Sequence, residues 1–165
     1  MYPDSKIIAY EPDPANFALL TKNIAANNLL NVELINEAVA PKSGKLSLQS
    51  PIYPDEWRSG VGVIPKGWRG VLHTNEMVVE ARGVDLVLSG KIDLVKMDIE
   101  GMEYEVLDRA KLNLVQHMII ETHPREGKRI HEIEKKLTAS GFVLTQRKDG
   151  SKWGVGLGTI VADRV

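Results

Sequence analysis

The stretch Ile92-Asp93-Leu94-Val95-Lys96-Met97-Asp98-Ile99-Glu100-Gly101-Met102-Glu103 decides the reading of this 165-residue chain. Its first half is a short apolar run of strand character, and its second half brings carboxylates, a glycine and the start of a helix. Met102, Val106 and Ala110 share one helical face, which predicts a helix over 102–110. Glu103 and Glu105 sit in its first turn and Arg109 and Lys111 near its end, as the helix dipole favours. Asp98 and Glu100 are two apart and face one side if the strand persists. Gly101 permits a close backbone approach or an unusual dihedral before the helix. Two carboxylates at a strand end can bind a cation, orient hydroxyls, or share a proton so that one works as a base. Helix capping explains Glu103 well, but explains Asp98 poorly, because Asp98 lies too early and next to the core.

Outward from this stretch, short apolar runs alternate with amphipathic ones, the pattern of an α/β domain with a mostly parallel sheet. On the N-terminal side, Ile7-Ile8-Ala9-Tyr10 reads as a strand ending at Glu11. Asp13 caps the helix that follows, with Pro14 at its first position, Phe17, Leu20 and Ile24 as its buried stripe, and Asn27-Asn28 as its left-handed stop. Val32 to Ile35, Lys45 to Gln49 and Met77 to Ala81 read as strands, and Gly83 to Leu88 as a short helix or turn. On the C-terminal side, Val115 to Ile120 reads as a strand closing on Glu121-Thr122-His123-Pro124. A helix carrying Ile130, Ile133 and Leu137 stops at Gly141. Phe142 to Thr145 and Gly158 to Ala162, with a turn at Lys148-Asp149-Gly150, predict an antiparallel hairpin on the sheet edge. The chain reads as one domain over residues 1–165, interrupted at 51–76 by three prolines, four glycines and two tryptophans without a period. That segment is expected to be a lid or substrate-binding insertion; a surface loop with core-packed tryptophans is the competing reading.

Ligands of an open parallel sheet bind beyond the carboxyl ends of its strands. Glu11 lies there and can accept both hydroxyl hydrogens of a ribose, because a carboxylate is acceptor-only. A solvent-facing acid is the alternative. Asn36-Glu37-Ala38 follows the next strand, where a side-chain acceptor can meet an exocyclic adenine amine; a plain turn is the alternative. His123 is the one histidine at a strand's carboxyl end and can serve as a general base near neutral pH. Asp98, Glu100, Glu121 and His123 are residue types that hold a hard or borderline cation, but no H-x-x-x-H spacing marks a zinc site, and no metal is expected.

Composition narrows the classes. With 21 basic and 22 acidic residues the net charge is -1, and no nucleic-acid footprint is expected. The absence of cysteine removes disulfides, thiolate metal sites and Cys nucleophiles. No apolar run approaches the roughly 20 residues that span a bilayer, and the polar N-terminus is unlike a signal peptide, so a cytoplasmic enzyme without a membrane partner is expected.

Ile8-Ala9-Tyr10-Glu11-Pro12-Asp13-Pro14-Ala15-Asn16-Phe17, then Leu20, Asn23, Asn27 and Asn31-Val32, resembles the FkbM family of methyltransferases. So do Ile35-Asn36-Glu37-Ala38-Val39 with Ser43-Gly44, the run from Ile92 to Glu103, Val106-Leu107, and Ile119 to Pro124. The Asp-x-Glu-Gly-x-Glu run at 98–103 is the most specific part. The resemblance implies a class I methyltransferase (Rossmann-like) sheet with helices on both faces, S-adenosylmethionine as methyl donor, and a small-molecule hydroxyl, often on a sugar, as acceptor. It implies that Glu11 with Pro12 holds the ribose, that Asn36, Glu37 and Ala38 flank the adenine, and that Asp98 and Glu100 face the methyl and the acceptor. Asp98 or His123 is then the expected base. The family's first strand and Gly-rich turn normally come just before Lys6, where only five residues stand here. The expectation is therefore a sheet truncated at its N-terminal side. A non-catalytic binding module, or a domain that needs a missing segment, is the rival reading, and a nicotinamide-dependent enzyme the third.

Overall fold

The computed structural model describes residues 4–51, 74–123, 129–149 and 158–165. Within them the elements run β1 (Ile7–Tyr10), α1 (Pro14–Ala26), β2 (Val32–Ile35), β3 (Ala38–Ala40), β4 (Gly44–Pro51), β5 (Thr74–Gly83) and α2 (Val84–Val87). They continue as β6 (Ile92–Met97), α3 (Glu103–Arg109), β7 (Val115–Thr122), α4 (Ile130–Ala139), β8 (Phe142–Asp149) and β9 (Gly158–Arg164).

Local chemistry sets the ends of these elements. The Asp13 side chain accepts from the backbone N–H groups of Ala15 at 2.7 Å and Asn16 at 3.2 Å, which satisfies donors that a helix start leaves free, and Pro14 needs none. Asn28 takes a left-handed φ of 52° just past the end of α1. Gly141, at φ 85°, turns the chain from α4 into β8.

Three hydrogen-bonded sheets result, of order β1-β2, β3-β5-β4 and β6-β7-β9-β8. The pairs β1/β2, β3/β5 and β6/β7 are parallel, while β4/β5, β7/β9 and β8/β9 are antiparallel. The expected α/β architecture is present, but the described sheets are mixed. Strand β3 begins at Ala38, the last residue of the Asn36-Glu37-Ala38 stretch that the sequence pattern marks as a ligand contact or a plain turn, not as a strand. The terminal hairpin forms with β9 placed between β7 and β8, so of its two strands β8 is the one at an edge. Strand β8 continues through Lys148 and Asp149, which pair with Thr159 and Gly158, so these two residues of the turn expected at 148–150 are strand, and Gly150 lies outside the described residues. The insertion expected at 51–76 springs from neighbouring points on paired strands, Pro51 opposite Thr74. Its residues 52–73, and the glycine-rich run from Trp153 to Leu157, lie outside the described residues.

The main core gathers Val106, Leu107, Val115, Met118, Ile120, Ile133, Leu137, Phe142 and Ile160 between β7, β9 and the helices α3 and α4. A smaller one joins Ala38, Ala40, Leu48, Val79 and Ala81 of the β3-β5-β4 sheet. Met102 packs against both. Arg164 ties β9 to the rest: its guanidinium donates to the carbonyls of Val115, Ser140 and Leu112 and lies over the Phe142 ring. The α1 stripe departs from expectation. Phe17, Leu20 and Ile24 are only half-buried, and no residue of α1 is fully buried, because the β1–β2 sheet offers just two strands to cover it. Among the described residues, no helix is long and apolar enough to cross a membrane.

Candidate active site

Strand β6 ends at Met97 and releases Asp98; the parallel strand β7 ends at Thr122 and releases His123. Between β6 and α3 the backbone turns sharply, with Glu100 at φ 51° and Gly101 at φ 105°. A non-glycine residue in this left-handed region costs about 1–2 kcal/mol. The turn swings the Glu100 carboxylate to 3.1 Å from His123 Nε2, while Asp98 Oδ1 lies 3.9 Å from the same nitrogen. The expected unusual dihedral at Gly101 is thus observed, and the three residues proposed from sequence as catalytic come together. Their ligand-type atoms all lie within 4.8 Å of one another, close enough to share a proton or a cation.

Burial separates their roles. His123 is 6% exposed, Glu100 is half-buried, and Asp98 is the most open of the three. Burial pushes the Glu100 carboxyl above its ordinary value, and the neighbouring charges of Asp98, Glu103 and Glu121 add to this against the pull of His123. For His123, burial alone opposes the imidazolium. The hydrogen bond to Glu103 and the charges of Glu103, Glu100 and Asp98 more than offset it, so its pKa lies above 6.5. Asp98 also faces Lys96 Nζ at 3.7 Å, a weak contact because the lysine is largely in solvent.

A second group lies at the carboxyl ends of β1 and β2. Asn36 Nδ2 donates to the carbonyls of Glu11 at 2.7 Å and Pro12 at 3.2 Å. Both partners are acceptors, so the amide nitrogen is identified and Asn36 Oδ1 is left as an acceptor. Glu11 Oε1 accepts from the Asp13 N–H at 2.8 Å, which leaves Oε2 for a ligand hydroxyl. Burial raises the pKa of Glu11, while the Asp13 N–H lowers it. This acceptor set fits an adenosine, whose ribose hydroxyls and exocyclic amine can all donate. The other two residues proposed for the adenine are differently engaged. The Glu37 carboxylate pairs with Arg82, and Ala38 is buried at the start of β3 in the smaller core.

Two residues of consequence escaped the sequence reading. Glu103 resembles an ordinary acid in a helix's first turn, yet it is fully buried against His123. Arg82 sits at the end of β5 with no motif around it; only the register Val39↔Arg82 places it beside Glu37.

Residues 3–144 match the methyltransferase FkbM domain. The chain belongs to this family. The FkbM chain is 30% identical over 183 aligned positions to methyltransferase sdnD of Sordaria araneosa, covering 92% of this chain and 69% of that protein. It is 22% identical over 183 positions to methyltransferase 1 of Beauveria bassiana, covering 99% and 73% respectively. A solved structure of M. jannaschii TYW2 in complex with AdoMet is also similar, at 15% identity and a TM-score of 0.45. The match covers 97% of the FkbM chain and spans 58% of the length of that structure. The FkbM chain carries a class I methyltransferase-like α/β fold, with parallel β1–β2 and β6–β7 pairs and an antiparallel final strand.

Proposed function

We propose that this FkbM domain transfers a methyl group from S-adenosylmethionine to a hydroxyl of a small-molecule acceptor, such as a sugar. The observation that carries this reading is the convergence of Asp98, Glu100 and His123 at the carboxyl ends of β6 and β7. The cofactor, when bound, supplies an electrophilic methyl group on a positively charged sulfur. Glu11 Oε2 and Asn36 Oδ1 would hold its ribose and adenine by accepting hydrogen bonds. The carboxylates of Asp98 and Glu100 give the reacting end of the site a negative potential suited to that sulfur. Alignment of donor and acceptor supplies much of the rate in such a transfer.

Asp98 is the group we assign to the acceptor's proton. It is the most open of the three, whereas His123 is buried and reaches solvent poorly. His123 Nε2 and Glu100 Oε2, 3.1 Å apart, are close enough to share a proton beside it.

The test is calorimetric titration of the folded chain with S-adenosylhomocysteine and, separately, with NAD. Heat with the former alone supports the reading, and no heat with the former overturns it for this chain. Asp98→Asn should then lower the methyl-transfer rate by about 10²–10⁴-fold with unchanged S-adenosylhomocysteine affinity. A second reading, a binding module completed by another segment, is favoured by the exposure of Ile7 and Ile8 on β1, 47% and 48%. It predicts a folded chain that takes up neither ligand.

A further inference from the structure

Glu103 is the only acidic residue among the described ones in the fully buried class besides Asp13. A carboxylate removed from water is strongly disfavoured unless its oxygens are taken up by donors. At Glu103 the donors are specific. The Gly101 N–H reaches Oε1 at 3.1 Å and Oε2 at 3.2 Å, and His123 Nδ1 lies 2.7 Å from Oε1.

This is unlike a helix cap. Glu103 is the first residue of α3, but its carboxylate takes the N–H of a residue before the helix. It can do so because the left-handed pair Glu100-Gly101 points that N–H inward. The same turn that delivers Glu100 to one side of the imidazole therefore holds Glu103 on the other.

Both Glu103 oxygens accept the Gly101 N–H, as those of an ionised carboxylate do, and a carboxylate only accepts, so the short contact points to Nδ1 as the nitrogen that carries the hydrogen. That leaves Nε2 toward Glu100 Oε2 at 3.1 Å and Asp98 Oδ1 at 3.9 Å. The groups facing the ring are then Glu103 from α3 and Asp98 and Glu100 from the turn after β6. Glu121 of β7 acts on Glu100 in turn. The arrangement matches the logic by which a buried acid orients a histidine in other enzymes, recognised by geometry and not by sequence position.

We propose that Glu103 is a positioning residue: through Nδ1 it fixes the tautomer and orientation of His123, so that Nε2 faces Glu100 and Asp98. Its catalytic consequence rests on the methyl-transfer reading above; its structural content does not. No side chain of this role is visible in the sequence, where Glu103 looks like a dipole-favoured first-turn acid.

The experiment is histidine ring ¹⁵N NMR across a pH series on the full chain and on Glu103→Gln and Glu103→Asp, with His123 assigned by its loss in His123→Gln. In the unsubstituted chain, neutral His123 should carry its proton on Nδ1. Glu103→Gln, which keeps the volume but removes the charge, should lower the His123 pKa by a unit or more and mix the tautomers. Glu103→Asp should restore part of both. Methyl-transfer kcat should fall in Glu103→Gln with the cofactor KM unchanged, and the pH profile should shift with the NMR titration. A neutral His123 protonated on Nε2, or a Glu103→Gln spectrum with unchanged tautomer and pKa, overturns the proposal. The expected NMR change in a chain that transfers no methyl group overturns the methyl-transfer reading instead, and with it the catalytic consequence.

Discussion

Arg82 and Glu37 meet two-on-two, Nε 2.7 Å from Oε2 and Nη2 3.1 Å from Oε1, with the guanidinium 6.0 Å above the centre of the Tyr10 ring. The pairing joins β5 to the start of β3 and reaches back to the end of β1. A carboxylate engaged in this way has little to offer an incoming ligand, whereas Glu11 keeps one oxygen open.

The two acids should therefore respond differently to neutralisation. Glu11→Gln is expected to weaken S-adenosylhomocysteine binding about tenfold, the loss of one charge-assisted hydrogen bond. Glu37→Gln should change it by less than about twofold, since what it removes is a partly exposed pair. Calorimetric titration of both variants checks this, and an equal loss in the two would contradict the division of roles.

His123 makes stability depend on pH in a defined sense. Its folded-state pKa is raised above the ordinary 6.5, so the charged form is favoured by folding. That contribution is fully present below pH 6.5 and is lost as pH rises through the raised value. Urea midpoints should fall with rising pH in the window above 6.5, with a slope of at most about 1.4 kcal/mol per pH unit. In His123→Gln the slope should flatten; a variant with the same slope as the parent would remove His123 as its source.

Gly158 lies where β9 pairs beside the end of β7, opposite Thr122. A Cβ built there meets Thr122 Oγ1 and Ile130 Cδ1 at 2.7 Å each and the Lys148 carbonyl at 3.1 Å. The isoleucine tip can move, but Thr122 is buried and directly precedes His123. Gly158→Ala is expected to cost about 1–3 kcal/mol in chemical denaturation, as overpacking does. A loss below about 0.5 kcal/mol, within the range of ordinary surface changes, would show that the neighbours yield freely.

Asp13 supports both a helix and a ligand contact. Its side chain caps α1, and its own N–H holds Glu11 Oε1. Asp13→Ala should cost about 1 kcal/mol or more, the usual loss on removing a cap. It should also weaken S-adenosylhomocysteine binding through the loosened Glu11, and Asp13→Asn should recover most of both. Denaturation and calorimetry on the pair of variants test this; full affinity in Asp13→Ala would uncouple the cap from the ligand contact.

Periodicity and strand-end chemistry made much of this molecule legible. The alternation of apolar runs gave every described strand except β3, and the Asp13-Pro14 start and the Asn28 stop of α1 were written in residue types with one strong local preference. Asp98, Glu100 and His123 were found because each directly follows, or lies a turn beyond, a strand's carboxyl end. What stayed hidden depends on pairing across distance. Three residues of β3 are too short to show a period. Arg82 acquires its meaning only from the parallel register of β3 with β5. The place of β9 between β7 and β8 is a choice between two edges that a hairpin signal leaves open. Glu103 shows a limit of another kind, since its surface-like position in a helix's first turn is overridden by the turn before it.

The interior position of β9 also bears on the order in which this molecule is made. Strand β7, which presents His123, has a neighbour on one side from β6, already synthesised when β7 emerges. Its other flank is filled by β9, which leaves the ribosome only after α4 and β8 have followed. Until then the row of backbone groups from His117 to Thr122 has nothing to bond on that side, and the apolar surface of Met118 and Ile120 lacks part of its cover. Such an unfinished edge invites wrong partners, so the nascent chain is exposed to aggregation during that interval.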